Sequence, residues 1–140
     1  MFALTVRQPW AWAIMHGGKN VENRTWNTRI RGRIAIHAGA TFGTIERMDI
    51  QAIREIYRQL GRDPDSVPYP RPADDLPTAP YALGAIIGTA DLVDCVTAFD
   101  SPWFFGPHGF LLANREPLPR PIPYKGRQGF FGIDDLELAA

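Results

Sequence analysis

Apolar and polar residues alternate along two stretches near the N-terminus, at about residues 19–26 and 32–38. Alternation with a period of two predicts β-strands whose two faces meet different surroundings. The basic segment between the two stretches forms a turn, so we expect a hairpin. Because successive side chains of a strand point to opposite faces, Glu22, Arg24 and Trp26 would share one face. Such a row is either a solvated ladder with a salt bridge or the wall of a polar pocket.

The remaining patterns predict two helices and four further strands. Apolar positions recur at helical spacing over residues 44–60, including Ile45, Met48 and Leu60. A shorter helix runs from about Pro9 to His16 and stops at two glycines. The strands lie at residues 2–6, 84–96, 109–115 and 130–133, and residues 117–123 are extended. We expect an α+β fold, since frequent glycine and proline breaks favour a small bent β-barrel of about six strands with flanking helices.

The short helix carries two tryptophans, Trp10 and Trp12. At a spacing of two residues they cannot share a helix face, so one of them meets something other than the core. We expect Trp10 to pack in the core, which leaves Trp12 as the candidate for contact with a ligand.

Length and composition predict one globular domain. A chain of 140 residues can bury a substantial core, and 45% hydrophobic with 21% charged residues is typical of a soluble protein. Residues 61–80 hold six prolines and four aspartates, which predicts a loop insertion. The lone Cys95, the lack of a signal-peptide pattern and the short apolar runs predict a cytoplasmic protein without disulfides and without contact with a membrane.

Charge is distributed unevenly along a chain whose net charge is zero. Residues 1–62 carry ten lysines and arginines against four acids, a charge of +6, whereas residues 63–140 carry five against eleven, or −6. This asymmetry permits a basic face and favours a polyanionic partner. Alternatively, the fold interleaves the two halves and cancels the field.

The predicted buried strands contain polar residues that need partners. Asp91 and Asp94 interrupt the apolar run at 84–96, and a buried carboxylate is stable only when it is paired. We expect arginines of the basic hairpin to pair with them. Cys95 in the same run predicts a buried, unreactive thiol. His37 on an apolar strand is more often a hydrogen-bonded core histidine than a base.

Several familiar chemistries have no motif here. The sequence lacks a glycine-rich phosphate loop, a metalloprotease motif, a serine nucleophile elbow and any metal-ligand spacing of its histidines. We therefore expect no cofactor and no bound metal. What remains is Lys19, Glu22 and Arg24 beside exposed aromatic residues. A buried lysine can lose its proton and act as a base or nucleophile, while a protonated one anchors phosphate.

These residues belong to blocks that resemble the ASCH domain, a member of the PUA-like superfamily. The blocks extend over nearly the whole chain, and the proline-rich loop is the least similar part. They are Arg7-Gln8-Pro9-Trp10-Ala11-Trp12, Gly18-Lys19-x-x-Glu22-x-Arg24-x-Trp26, Arg31-Gly32-Arg33-x-x-Ile36-His37-Ala38, Gly84-Ala85-Ile86-Ile87-Gly88, Asp91-Leu92-Val93-Asp94-Cys95 and Ser101-Pro102-Trp103.

The resemblance implies a PUA-like β-barrel with a cleft beside the strand of Lys19, Glu22 and Arg24. It also implies binding of RNA, single-stranded DNA or a nucleoside, with RNA favoured. It says nothing about the oligomeric state. Cations would hold phosphate and exposed indoles would stack on bases. The candidate binding residues are Lys19, Glu22, Arg24, Trp26, Arg31, Arg33, Trp12 and Trp103, with Glu22 reading a base edge.

Two alternatives remain open. Some bacterial relatives look like amidohydrolases of N4-acetylcytidine that use a lysine, a threonine and a glutamate, and another type is a metal-dependent ribonuclease. Lys19 matches the lysine, and Glu22 stands in the place of the threonine, so a hydrolase would use Lys19 and Glu22 as catalytic groups. The third possibility is a protein-interaction domain with an apolar patch at Trp103, Phe104 and Phe105.

Overall fold

A computed structural model describes residues 1–70 and 80–134. This part of the chain forms six strands, two α-helices and one 3-10 turn. In chain order they are β1 (Phe2–Val6), α1 (Trp10–His16), β2 (Val21–Arg24), β3 (Gly32–Ala38), α2 (Thr44–Gln59), the 3-10 turn (Pro64–Ser66), β4 (Ala85–Val96), β5 (His108–Pro123) and β6 (Phe130–Gly132).

The six strands form one curled sheet in the order β2-β5-β4-β3-β1-β6. Only the β1–β3 pair is parallel among these strands, and the other neighbours are antiparallel. The sheet is a curled half-barrel whose edge strands are β2 and β6, as the sequence predicted in outline. The predicted hairpin is wrong, because β2 pairs with β5 while β3 lies between β1 and β4.

One long strand replaces two shorter predicted segments. The sequence predicted a strand at 109–115 followed by an extended stretch, whereas β5 continues to Pro123 along β4. The β4–β5 register shifts in three places. The shift between Ile86 and Gly88 faces residues 117–122 of β5, where a bulge leaves prolines outside the ladder.

The core consists of three apolar clusters. The first lies between α1 and the central strands, with Leu4, Ile14 and Ile36 fully buried. The second joins α1 and α2 through residues such as Trp12 and Ile53, and the third lies under β6. Burial of apolar surface of this kind is the main stabilising contribution to the fold.

The prediction for the buried face of α2 was partly wrong. Ile50, which the spacing argument left out, is fully buried, whereas Ile45, Met48 and Leu60 are exposed. The helix begins at Thr44, the first residue of the predicted range, and its N-cap residue is Gly43. The Glu46 carboxylate accepts a hydrogen bond of 2.7 Å from the backbone N–H of Gly43 and so satisfies a free donor of the first turn.

The polar residues of the central strands find the predicted partners. Arg33 pairs with Asp91 at 3.1 Å, and Arg31 lies 3.5 Å from Asp94, so arginines before and on β3 do meet the aspartates of β4. His37 is buried, and both of its ring nitrogens lie within hydrogen-bond distance of a partner. Cys95 is half-buried, less than expected.

The predicted loop at 61–80 lies partly outside the described residues, which omit 71–79. Its first part forms the 3-10 turn, and the Arg54 guanidinium donates to the Val67 carbonyl at 2.8 Å. Neither helix of the described chain has the length and apolar character that crossing a membrane requires.

Candidate functional site

A cleft of about 880 Å³ opens beside the edge strand β2. One side is formed by β2 and the residues that follow it, and the other by the end of β1 and by residues 126–129. Trp26, just after β2, contacts Phe130 of β6 with ring centroids 5.8 Å apart, so the two sheet edges approach each other here. This volume is within the usual range for a site that binds a small molecule or a nucleotide.

The floor of the cleft is a hydrogen-bonded group of Lys19, Glu22 and Arg24. The Lys19 ammonium lies 2.8 Å from Glu22 Oε1 and also donates to the Val21 carbonyl. Arg24 donates to Glu22 Oε2 from Nε at 3.2 Å and from Nη2 at 2.9 Å. One carboxylate thus lies between two cations, and the lysine is only 1% exposed.

Burial and charge together lower the pKa values of both Lys19 and Glu22. Burial lowers the pKa of Lys19, an effect that exceeds the opposing attraction of the Glu22 carboxylate. Burial alone would raise the pKa of Glu22, but the charges of Lys19 and Arg24 and their hydrogen bonds lower it overall. Glu22 is therefore a carboxylate near neutral pH.

Arg24 also connects the two sides of the cleft. Its Nη2 atom donates to the backbone carbonyl of Thr5 on β1 at 2.6 Å, in addition to its contact with Glu22. Because β1 and β2 are not neighbours in the sheet, this hydrogen bond crosses the opening of the half-barrel. The guanidinium lies 6.0 Å from the ring centre of Trp26, at the outer range of a cation–π contact.

Aromatic side chains form the walls of the cleft. Trp26, which follows β2, is 37% exposed. Trp10 and Phe105 also line the cleft and contact each other edge to face at 6.2 Å. The indole N–H of Trp10 donates to Asp49 of α2 at 2.9 Å, which fixes the orientation of the ring.

His37 and Gly126 close one end of the cleft. The Nε2 atom of His37 donates to the Tyr124 carbonyl at 2.6 Å, and Nδ1 lies 3.1 Å from the Thr5 hydroxyl. A methyl group on Gly126 would lie 2.3 Å from the His37 ring, so only glycine fits at this close approach.

The structure separates the predicted binding residues into two groups. Lys19, Glu22, Arg24 and Trp26 line the cleft together. The other four, Trp12, Trp103, Arg31 and Arg33, do not line this cleft. Trp12 and Trp103 are buried in the core cluster between the helices, while the guanidinium groups of Arg31 and Arg33 pair with Asp94 and Asp91.

Trp10 packs against the core, as expected, but it is also the tryptophan of α1 that lines the cleft. Trp12 packs edge to face against Tyr81 in the core, and Trp10 faces the cleft. The pattern showed that one of them had to leave the core but could not tell which. Asp49 and Phe105 were also missed, and no signal in the sequence connects them with β2 because their contacts are long-range.

The apolar patch expected at residues 103–105 does not exist as a surface. Trp103 is buried and Phe104 is half-buried, whereas Phe105 is 62% exposed. A single exposed ring is ordinary on a protein surface and indicates no protein-binding face. Within residues 1–70 and 80–134, no group of three or more histidine, cysteine or acidic side chains is arranged to hold a metal ion.

Comparison with known proteins identifies the relatives of this chain. Residues 4–119 match the model of the ASCH domain. The chain is 30% identical over 142 residues to activating signal cointegrator 1 of Homo sapiens, covering 95% of this chain and 22% of the relative. The protein of the same name from Mus musculus is 34% identical over 97 residues, covering 69% and 14%. The chain thus spans less than a quarter of the length of these relatives.

Solved structures agree with the fold. The ASCH protein of Zymomonas mobilis superposes with a TM-score of 0.55 at 17% identity, over 99% of this chain and 90% of that one. A tyrosine-to-phenylalanine mutant of the same Zymomonas mobilis protein gives a TM-score of 0.53, also at 17% identity, over 99% and 93%. From the family match and the human relative, the chain belongs to the ASCH domain family, a PUA-like fold generally associated with RNA binding.

Proposed function

We propose that this chain binds nucleic acid, with single-stranded RNA as the favoured ligand, by taking a nucleotide into the cleft beside β2. The observation that carries the proposal is the combination of buried cations on the floor with aromatic rings lining the same 880 Å³ cleft. An unpaired base offers a flat face to the rings and polar edges to the floor. The relatives' association with RNA supports the same proposal.

Exposed arginines at the rim provide the contact with phosphate in this proposal. Arg127 lines the cleft and is exposed, whereas Arg7, also at the rim, is already paired with the buried Glu46 at 3.1 Å and is the weaker candidate. A solvated guanidinium can bind a phosphate without first losing a buried partner. Lys19 and Arg24 are engaged by Glu22, so we now assign phosphate binding to the rim.

Salt dependence tests the proposal directly. We expect the affinity for a labelled single-stranded RNA of about ten nucleotides to fall linearly with the logarithm of salt concentration. Arg127→Ala should weaken binding several-fold and reduce the slope by about 0.7, the effect of one phosphate contact on a single strand. Fluorescence anisotropy measures both quantities, and single-stranded DNA and the free nucleotide show which ligand is preferred.

Arg120→Ala is the matched control, because Arg120 is an exposed arginine of β5 that does not line the cleft. It should leave both affinity and slope unchanged. Binding that is insensitive to salt would reject phosphate recognition, and equal losses in the two variants would reject the cleft as the site.

A second candidate function is hydrolysis of a nucleoside or RNA substrate, and the lowered pKa of Lys19 favours it. A neutral lysine could take a proton from a water molecule that attacks the substrate and return it to the leaving group. We expect Lys19→Met then to abolish turnover in a single-turnover assay while substrate binding survives. Turnover that persists in this variant would eliminate the catalytic role.

A further inference from the structure

The hydrogen-bonding capacity of Glu22 is largely used within the protein. Its carboxylate has about four acceptor sites. Lys19 occupies one on Oε1, and Arg24 occupies two on Oε2. About one acceptor site is left, on a side chain that is 10% exposed. Glu22 is therefore poorly suited to receive hydrogen bonds from a ligand, contrary to the expectation that it reads a base edge.

The hydrogen-bonding capacity of Arg24 is, by contrast, only partly used. A guanidinium has five N–H donors, and Arg24 directs its Nε and Nη2 hydrogens at Glu22 and at the Thr5 carbonyl. Among the residues that the structure describes, none accepts a hydrogen bond from the Nη1 group. The side chain is 20% exposed and lines the cleft, so about two N–H donors remain available to a ligand.

The other polar groups near the floor do not change the excess of available donors over available acceptors. Lys19 is only 1% exposed. The Asn23 side chain is occupied by the backbone of the 103–106 loop, where its Oδ1 accepts from Phe105 and Gly106 and its Nδ2 donates to Trp103. Asp49, the second carboxylate lining the cleft, belongs to the α2 wall and accepts from Trp10. The accessible part of the floor thus offers mainly donors.

We infer that the floor of the cleft selects nucleobases with a keto oxygen, guanine and uracil, over the amino bases adenine and cytosine. This inference rests on the proposed binding of nucleic acid in the same cleft. Guanine O6 and the corresponding O4 of uracil accept hydrogen bonds, whereas the amino groups of adenine and cytosine donate them at the equivalent position. An amino group that faced Arg24 Nη1 would place the N–H donors of the base against the N–H donors of the guanidinium. Neither group would then gain a hydrogen-bond acceptor. Glu22 acts as a positioning residue that orients the guanidinium.

The enclosed position of Arg24 favours a base edge over a phosphate. The guanidinium lies 6.0 Å from the ring centre of Trp26 and is already paired with one carboxylate, whereas Arg127 at the rim is exposed to solvent. A phosphate at the floor would lose its hydration inside a partly apolar cleft, while a planar base gains contact with the rings.

A set of five pentanucleotides tests the inference. Each has abasic riboses except at the central position, which carries uracil, cytosine, hypoxanthine, adenine or no base. Hypoxanthine has the O6 oxygen of guanine, and differs from adenine by the keto-for-amino exchange. We expect the unmodified protein to bind the uracil and hypoxanthine strands roughly tenfold more tightly than the cytosine and adenine strands, since one hydrogen bond to a charged donor is gained and a clash of donors is avoided.

The outcomes separate this inference from the proposed function. Equal affinity for all five strands would show that phosphate is bound without base reading, and would overturn the inference alone. Failure of all five strands and of the longer RNA to bind would overturn both proposals. Tighter binding of cytosine or adenine would show that the floor accepts hydrogen bonds, which contradicts the inference.

Arg24→Lys tests the residue itself, because lysine keeps the charge but loses the directed Nη1 donors. We expect the preference for keto bases to shrink to about twofold or less in this variant. Arg31→Lys is the matched control, since Arg31 lies outside the cleft beside Asp94, and it should retain the full preference. A full preference in Arg24→Lys would overturn the assignment, and the strand series on the unmodified protein decides the inference if that variant does not fold.

Discussion

Lys19 is a buried cation whose position costs free energy unless its charge is compensated. Its Nζ atom lies between the Val21 carbonyl and Glu22, and the residue is 1% exposed. Burial lowers its pKa below the ordinary value of 10.5. Between the lowered value and 10.5 the unfolded chain binds more protons than the folded one, so the free energy of unfolding rises with pH in that range. The fold therefore favours the neutral amine.

We predict that the free energy of unfolding of the unmodified protein rises with pH between the lowered pKa of Lys19 and about 10, and that Lys19→Met removes this rise. Urea unfolding at a series of pH values measures the difference between the two proteins. The range stays below the ordinary pKa of tyrosine, near 10, because burial raises the pKa values of Tyr57 and Tyr81 and would reverse the trend above it. Parallel pH profiles of the two proteins would contradict the prediction.

At the scale of elements, the segment between β5 and β6 holds one end of the cleft in place. The Thr5 hydroxyl donates to the Arg127 carbonyl at 2.9 Å, and His37 donates to the Tyr124 carbonyl. Gly126 lies directly against these side chains of β1 and β3. A three-residue edge strand such as β6 contributes few ladder hydrogen bonds, so the placement of this segment depends on those side-chain contacts.

We predict that Gly126→Ala lowers the free energy of unfolding by about 1–3 kcal/mol, the usual cost of forcing a methyl group into a packed site. The added carbon would lie 2.3 Å from His37 Cε1 and 2.9 Å from Thr5 Oγ1, so His37 must move. Gly132→Ala is the control, because no described atom lies within 4 Å of the added carbon, and it should change stability by less than about 0.5 kcal/mol. Denaturant unfolding measures both variants, and similar losses would show that the contact with His37 is not the cause.

At the scale of the whole molecule, some basic residues of the first half pair with acids of the second half, and others line the cleft. Arg31 and Arg33, from the basic first half, pair with Asp94 and Asp91 of the acidic second half across neighbouring parts of the sheet. These pairs partly cancel the field, as one of the two sequence interpretations proposed. Lys19 and Arg24 instead share Glu22 of their own half and face the cleft. Net charge zero therefore does not preclude a local cationic site.

The sequence by itself determined most of the helices and strands. It also determined four of the residues that line the cleft, Lys19, Glu22, Arg24 and Trp26. Apolar runs predicted β1 and β4, and alternation predicted β3 and placed Glu22, Arg24 and Trp26 on one face, because the period of a strand is fixed by its backbone. The pairing of Asp91 and Asp94 with arginines was predicted on the premise that both carboxylates are buried, and it occurs although their side chains are 32% and 56% exposed. The motif blocks identified the family and hence the half-barrel.

Only the tertiary structure decided which strands pair and what surrounds the cleft. Sequence neighbours suggested a hairpin of β2 and β3, but β2 pairs with the distant β5, as in Val21 opposite Leu111. The packing of α2 against α1 decided that Trp12 rather than Trp10 is buried between the helices. The position of β4 decided that Arg31 and Arg33 pair with its aspartates and do not line the cleft. These features are set by long-range packing, which a local pattern of apolar and polar residues does not encode.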